Sequence, residues 1–246
     1  MQPVSFISSY QKLQGHSMIA PTTADLLSSL SKAIYLEIKE FSQNFNKMID
    51  TYPIAATEYF SAQDIPRQYQ DTNEELLTNQ EEISEFLQLI DKRFKFSPEV
   101  TILTLAYIKK LSISSKIPIT NNNWKNISLV SVLISQRVSD NPLISASCIA
   151  SLFPNFTLES IKFMETEYLN LIHYDYNIDQ NDYINHMGHL QDISKSYQWI
   201  SWRLDNEKLE NIIERMSWLS QGMANFDNGI VRSKRITAIN LNEIEF

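Results

Sequence analysis

Glycine is scarce, with 4 in 246 residues against an average usage of about 7%. The shortage leaves few tight hairpin turns and no Gly-rich loop to cradle a phosphate. A single cysteine, Cys148, excludes an intrachain disulfide framework and fits a reducing compartment, so a cytoplasmic or nuclear location is expected. No run approaches the roughly 18 apolar residues of a membrane span. Met1-Gln2-Pro3 opens neither a signal peptide nor a myristoylation motif, and a soluble chain is expected. Clustered basic residues are lacking as well. The net charge is −8, with 14 acidic against 9 basic residues between positions 72 and 190. Phosphate neutralisation needs Lys and Arg in clusters, so no nucleic-acid partner is expected. There is no Gly-x-Ser-x-Gly elbow and no metal-ligand array, and neither catalysis nor a cofactor is expected.

What the chain does have is helical code. With 43% hydrophobic residues it can bury a sizeable core. Pro21, Pro53, Pro66, Pro98, Pro118, Pro142 and Pro154 all fall between periodic segments, where a proline interrupts no helix. An all-α fold follows. After a polar arm over residues 1–21, Thr22-Thr23-Ala24-Asp25 offers a hydroxyl cap with an acid in the first turn. Leu26, Leu30, Ile34, Ile38, Phe41, Phe45 and Met48 then recur at helical spacing. Residues 22–71 therefore read as an N-terminal helical extension ending in a linker over 61–71.

Five shorter amphipathic helices are expected over residues 72–178. Thr72 to Glu75 has the form of a capping box, followed by Leu76, Ile83, Phe86, Leu87 and Ile90. Ser97-Pro98-Glu99 is a cap, a first-turn proline and a favourable acid, opening a helix with Val100, Leu103, Ala106, Tyr107 and Leu111 on its face. A third helix over about 123–139 turns Ile127, Val130, Ile134 and Val138 inward, with Ser131 and Ser135 small enough for neighbours to approach. Pro142 starts a short fourth. Thr157 caps a fifth carrying Leu158, Ile161, Met164, Tyr168, Leu169 and Ile172. Residues 179–221 hold two more helices, capped by Asp179 and Asp205, and 222–246 form a tail without clear periodicity.

Two charges stand out against this pattern. Glu165 shares a stripe with Ile161, Tyr168 and Ile172, where a carboxylate is costly unless paired. Arg137 borders the inward face of the third helix and can reach it. From spacing alone an ordinary buried ion pair, or two side chains reaching solvent separately, is preferred to a docking pair. Elsewhere the plainer readings are preferred. His186 and His189 are read as surface histidines lacking a third metal ligand, Cys148 as a small core residue, and Ser97-Pro98 as a cap more than a phosphorylation site. Arg232, Lys234 and Arg235 are too few for a nuclear signal.

The segment Ile134-Ser135-Gln136-Arg137-Val138-Ser139-Asp140 resembles the third helix of a cyclin box, where an apolar run ends in Ala-Ser-Lys-aromatic followed by acids. Met164-Glu165 is similar to the apolar residue and glutamate of that family's fifth helix. TILTLAYIKKL (101–111) and LIHYDYNI (171–178) are similar to its second helix and to the segment after the fifth. The single box and its spacing look most like the P-type and cyclin Y group. The resemblance implies a five-helix cyclin box with N-terminal and C-terminal helical extensions, and a non-catalytic subunit that binds and activates a cyclin-dependent kinase. It also implies that Arg137, in the lysine's place, and Glu165 hold backbone groups of the kinase segment leading into its regulatory helix, with Asp140 beside them. Asn141 replaces the second acid, and Ala146 stands where relatives often have Asn. The alternative implied role is that of a structural or scaffold protein in a larger assembly, with the box kept as a docking module.

Overall fold

The computed structural model describes residues 22–48, with side chains through residue 44, and residues 78–139, 145–194 and 207–222. Among these residues there are eight helices and no strand. They are α1 (Thr23–Met48), α2 (Gln80–Phe94), α3 (Pro98–Ser115), α4 (Trp124–Val138), α5 (Ala146–Leu152), α6 (Leu158–Leu171), α7 (Gln180–Ser194) and α8 (207–222). The expected all-α architecture is present.

Local chemistry explains most boundaries. At α1 the Thr22 hydroxyl accepts from the Asp25 amide at 3.2 Å, while the Asp25 carboxylate accepts from the Thr22 amide at 3.2 Å. This reciprocal pair satisfies two amide donors that the helix itself cannot. Ser97 accepts from the Val100 amide, Thr157 from the Ser160 amide and Asp179 from the Asp182 amide, as their sequence positions predict. Ser97 thus serves as a helix cap. Two starts differ from expectation. Helix α2 begins at Gln80 with Asn79 as its cap, the Asn79 side chain accepting from the Glu82 amide at 2.7 Å. Thr78 is drawn off instead by the α4 region, its hydroxyl accepting from the Trp124 indole at 3.0 Å and its amide donating to Asn121. The Thr72–Glu75 box lies outside the described residues. The short helix α5 starts at Ala146, with Ser145 as its cap, rather than at Pro142.

Scarce glycine has a visible consequence at the helix ends. Lys95 closes α2 and Lys116 closes α3, both left-handed, with φ of 55° and 59°. Each forgoes the glycine usual at that position and accepts about 1–2 kcal/mol of steric cost. Each also supplies an amide that caps a carbonyl of the last turn, Lys95 to Asp91 at 2.7 Å and Lys116 to Ser112 at 3.1 Å. His173 and Tyr174 are left-handed in succession, φ 56° and 52°. They form the turn that brings the chain from α6 back along the bundle.

Helix α4 is the centre. Of its 15 residues 13 are buried, and only Lys125 and Arg137 are exposed. A helix apolar or small-polar all round must be covered on every side. Here α3 and α6 lie against it, with α5 on α6. The other exterior wall is α1, whose Leu26, Leu30, Ile34 and Ile38 join the same core and pack on α2, α3 and α7. The leading helix therefore packs on its own domain. Phe45 and Met48 fall outside the described side chains.

Polar groups of four residues in this core are linked across three helices. Ser131 of α4 donates to the Tyr168 hydroxyl of α6 at 2.8 Å. That hydroxyl donates to the Tyr107 carbonyl of α3 at 2.8 Å, and the Tyr107 hydroxyl donates to the Tyr176 carbonyl at 2.7 Å. All four residues are at most 2% exposed. Burial raises the pKa of both Tyr107 and Tyr168, which stay neutral donors. Hydrogen bonds are directional, so this chain sets the depth of α6 and of the Tyr176 segment relative to α4.

Candidate partner-binding site

The polar chain ends beneath one rim of the bundle. There the last turn of α4 delivers Arg137 and the middle of α6 delivers Glu165. The Arg137 guanidinium donates through Nη2 to Glu165 Oε1, with side-chain exposures of 41% and 14%. Ile161, Met164, Tyr168 and Ile172, the stripe around Glu165, are all buried. The two charges expected to reach one another do so. Of the readings left open by spacing, separate extension to solvent is excluded, and the arginine side of the pair faces outward.

A third group completes the cluster. Tyr176, 2% exposed, has its phenol pKa raised by burial, an effect partly offset by the nearby charge of Arg137. The guanidinium is thus bonded to a carboxylate, with the Tyr176 phenol nearby. Planar and forked, it can direct its remaining N–H groups outward in fixed directions, which a lysine ammonium cannot. Asp140 lies outside the described residues.

The main chain of Arg137 is also engaged. Arg215 of α8 donates from Nε to the Arg137 carbonyl at 2.7 Å. Beside it, a cleft of about 920 Å³ runs between α8 and the ends of α3 and α4, lined among others by Glu99, Val138, Ser139, Ile212 and Trp218. Trp218 is 71% exposed. Sequence reasoning missed Tyr176 and Arg215. The first reads as one more aromatic in LIHYDYNI, and the second lies 78 positions from its acceptor, a separation that no local pattern spans. Gln136, next to Arg137, is fully buried with neither amide atom hydrogen-bonded among the described residues.

The remaining candidates settle simply. His189 is exposed but His186 is half-buried, and burial lowers its pKa, so the expectation of two surface histidines is corrected for His186. Cys148 packs only partly against the core, its thiol accepting from the Ser145 hydroxyl at 3.2 Å, which lowers its pKa. It lies at the core's margin because α5 is a short outer helix. Arg232, Lys234 and Arg235 lie outside the described residues. No described helix is long and apolar enough to cross a membrane.

The family model for the cyclin N-terminal domain matches residues 48–177. No solved structure matches the chain. The matched span ends just past Tyr176 and takes in α2 to α6, with the rim that carries Arg137 and Glu165. A central helix buried along nearly its whole length, packed by α3 and α6, and a family model spanning more than half the residues agree: this chain belongs to the cyclin family.

Proposed function

We propose that the chain is a regulatory subunit, of the single-box P-type or cyclin Y-like group, that binds and activates a cyclin-dependent kinase without chemistry of its own. The observation that carries this reading is the Arg137–Glu165 pair, joined at a rim where the guanidinium meets solvent. Arg137 offers its outward N–H groups to carbonyl oxygens of an extended kinase segment, and the second carboxylate oxygen of Glu165 accepts from an amide of the same segment. Formed before any partner arrives, the pair is preorganised, which lowers the entropy cost of binding. Seating that segment orients the kinase's regulatory helix so that its glutamate meets the strand lysine, the arrangement phosphoryl transfer requires. The effect on the kinase is a population shift. The domain division that goes with this reading is an arm to residue 21, an N-terminal extension to 71, the box over 72–178, helices over 179–221 and a tail.

A second reading, a scaffold protein of a larger assembly using the box for docking, is favoured by one feature: arginine in the lysine's position is closed onto its own glutamate. Purification of the native protein with its associates separates the two. A kinase recovered in equal amount supports the first, and filament or scaffold proteins without a kinase support the second. Reversing both charges, Arg137→Glu with Glu165→Arg, is expected to abolish kinase association with helicity intact. Kinase binding as tight as the parent's sinks the assigned interface.

A further inference from the structure

Helix α8 lies beyond the residues that match the family model, yet it is bonded to the backbone on both sides of the candidate site. Arg215 Nε donates to the Arg137 carbonyl at 2.7 Å, and Ser220 Oγ accepts from the Tyr176 amide at 3.0 Å. Met216 Sδ accepts from the Ile178 amide at 3.2 Å. Leu209, Ile212 and Met216 are buried in the common core, so the helix is anchored by an apolar stripe as well as by these bonds.

The position of the first bond matters most. Arg137 is the last helical residue but one in α4, and a carbonyl there has no intrahelical donor. Arg215 supplies a charged one at the negative end of the helix dipole, where cations are favoured. The residue whose side chain forms the docking pair thus has its main chain tied to α8. Nearby, the main chain of Tyr176 is tied to α8 five residues further along. One helix thus holds both segments of the site, the Arg137 carbonyl through Arg215 and the Tyr176 amide through Ser220.

We propose that α8 is a brace of the partner-binding site and that Arg215 is its positioning residue, holding the last turn of α4 so that a kinase meets the Arg137–Glu165 pair already formed. The proposal rests on the kinase-binding reading above. It makes that binding depend on residues outside the cyclin box, acting through Arg137 without themselves touching the partner.

The test uses the full-length chain titrated by biolayer interferometry against a panel of purified cyclin-dependent kinases, following the member that binds the parent chain most tightly. Arg215→Met is expected to weaken that binding about tenfold, Arg215→Lys by less, and both to leave the helical circular dichroism unchanged. In an Arg137→Met background, Arg215→Met should have no further effect, a coupling that general destabilisation does not produce. In the free chain, Arg215→Met should hasten amide exchange in the last turn of α4 and at Tyr176, with the middle of α3 unchanged. Binding by Arg215→Met within twofold of the parent overturns the brace while leaving the kinase reading intact. An equal loss in both backgrounds also overturns it. If no kinase binds the parent, or Arg137→Met binds as well as the parent, the functional reading fails and the brace fails with it.

Discussion

Replacing Tyr168 with phenylalanine removes one oxygen from the best-buried polar link in the bundle, and the structure sets what that costs. The Tyr168 hydroxyl receives the Ser131 proton and donates its own to the Tyr107 carbonyl, both at 2.8 Å, with all three residues at 0% exposure. In Tyr168→Phe the Ser131 hydroxyl loses this acceptor in a region closed to water, for a penalty of about 1–3 kcal/mol. At the middle of that range, about 2 kcal/mol, a chain of this size should lose roughly 4–8 °C in melting temperature. Ser131→Ala alone should cost less, because a tyrosine hydroxyl that keeps the Tyr107 carbonyl is not orphaned. The decisive quantity is the double variant. Removing both hydroxyls leaves no stranded donor, so Tyr168→Phe with Ser131→Ala should be more stable than the summed single effects by about 0.5–3 kcal/mol. Thermal and urea unfolding of the full chain, followed by circular dichroism, measures all four corners of the cycle. A Tyr168→Phe variant within about 0.5 kcal/mol of the parent, or strict additivity, would refute the claim that this link fixes α6 against α4.

Two further outcomes are expected. Trp124→Phe removes the indole donor to Thr78 and opens space beside Phe86, whose ring meets Trp124 edge-on at 5.4 Å. Differential scanning calorimetry should show a loss of about 2 kcal/mol, and an unchanged transition would discount Trp124 as the anchor of Thr78. At His186, burial holds the pKa below its ordinary value of 6.5, with Lys109 and His189 adding to the effect and Asp182 opposing it. Between the two values the unfolded chain binds the extra proton, so stability rises with pH: the contribution is intact above about 6.5 and is lost as the pH falls below it. Urea midpoints at pH 7.5 and 5.5 should therefore differ less for His186→Gln than for the parent, and equal differences would dismiss the assignment.

Much of the candidate site was legible in the chain because it depends on helical period. Glu165 emerges on an apolar stripe, and a carboxylate there demands a partner. Arg137 is the cation at the border of the inward face set by Ile127, Val130 and Ile134. Those two positions follow from 3.6-residue spacing once the helices are drawn. Caps at Thr22, Ser97, Thr157 and Asp179 were legible for a related reason, since a side chain reaching an amide three residues on is a local event. Asn79 was not, because the capping-box pattern at Thr72–Glu75 placed the helix start earlier in the sequence.

Sequence by itself determined that this chain folds into helices and which face of each turns inward. Glycine scarcity, proline placement and apolar period all act within a few residues, and a helix forms from contacts of that range. Tertiary structure alone decided that Arg137 and Glu165 share one ion pair, that Tyr176 lies against the guanidinium, and that α8 is fastened to both sides of the pair. Those contacts join residues 28 to 78 positions apart. They exist only where packing around α4, buried on nearly every side, brings the ends of separate helices to a common rim.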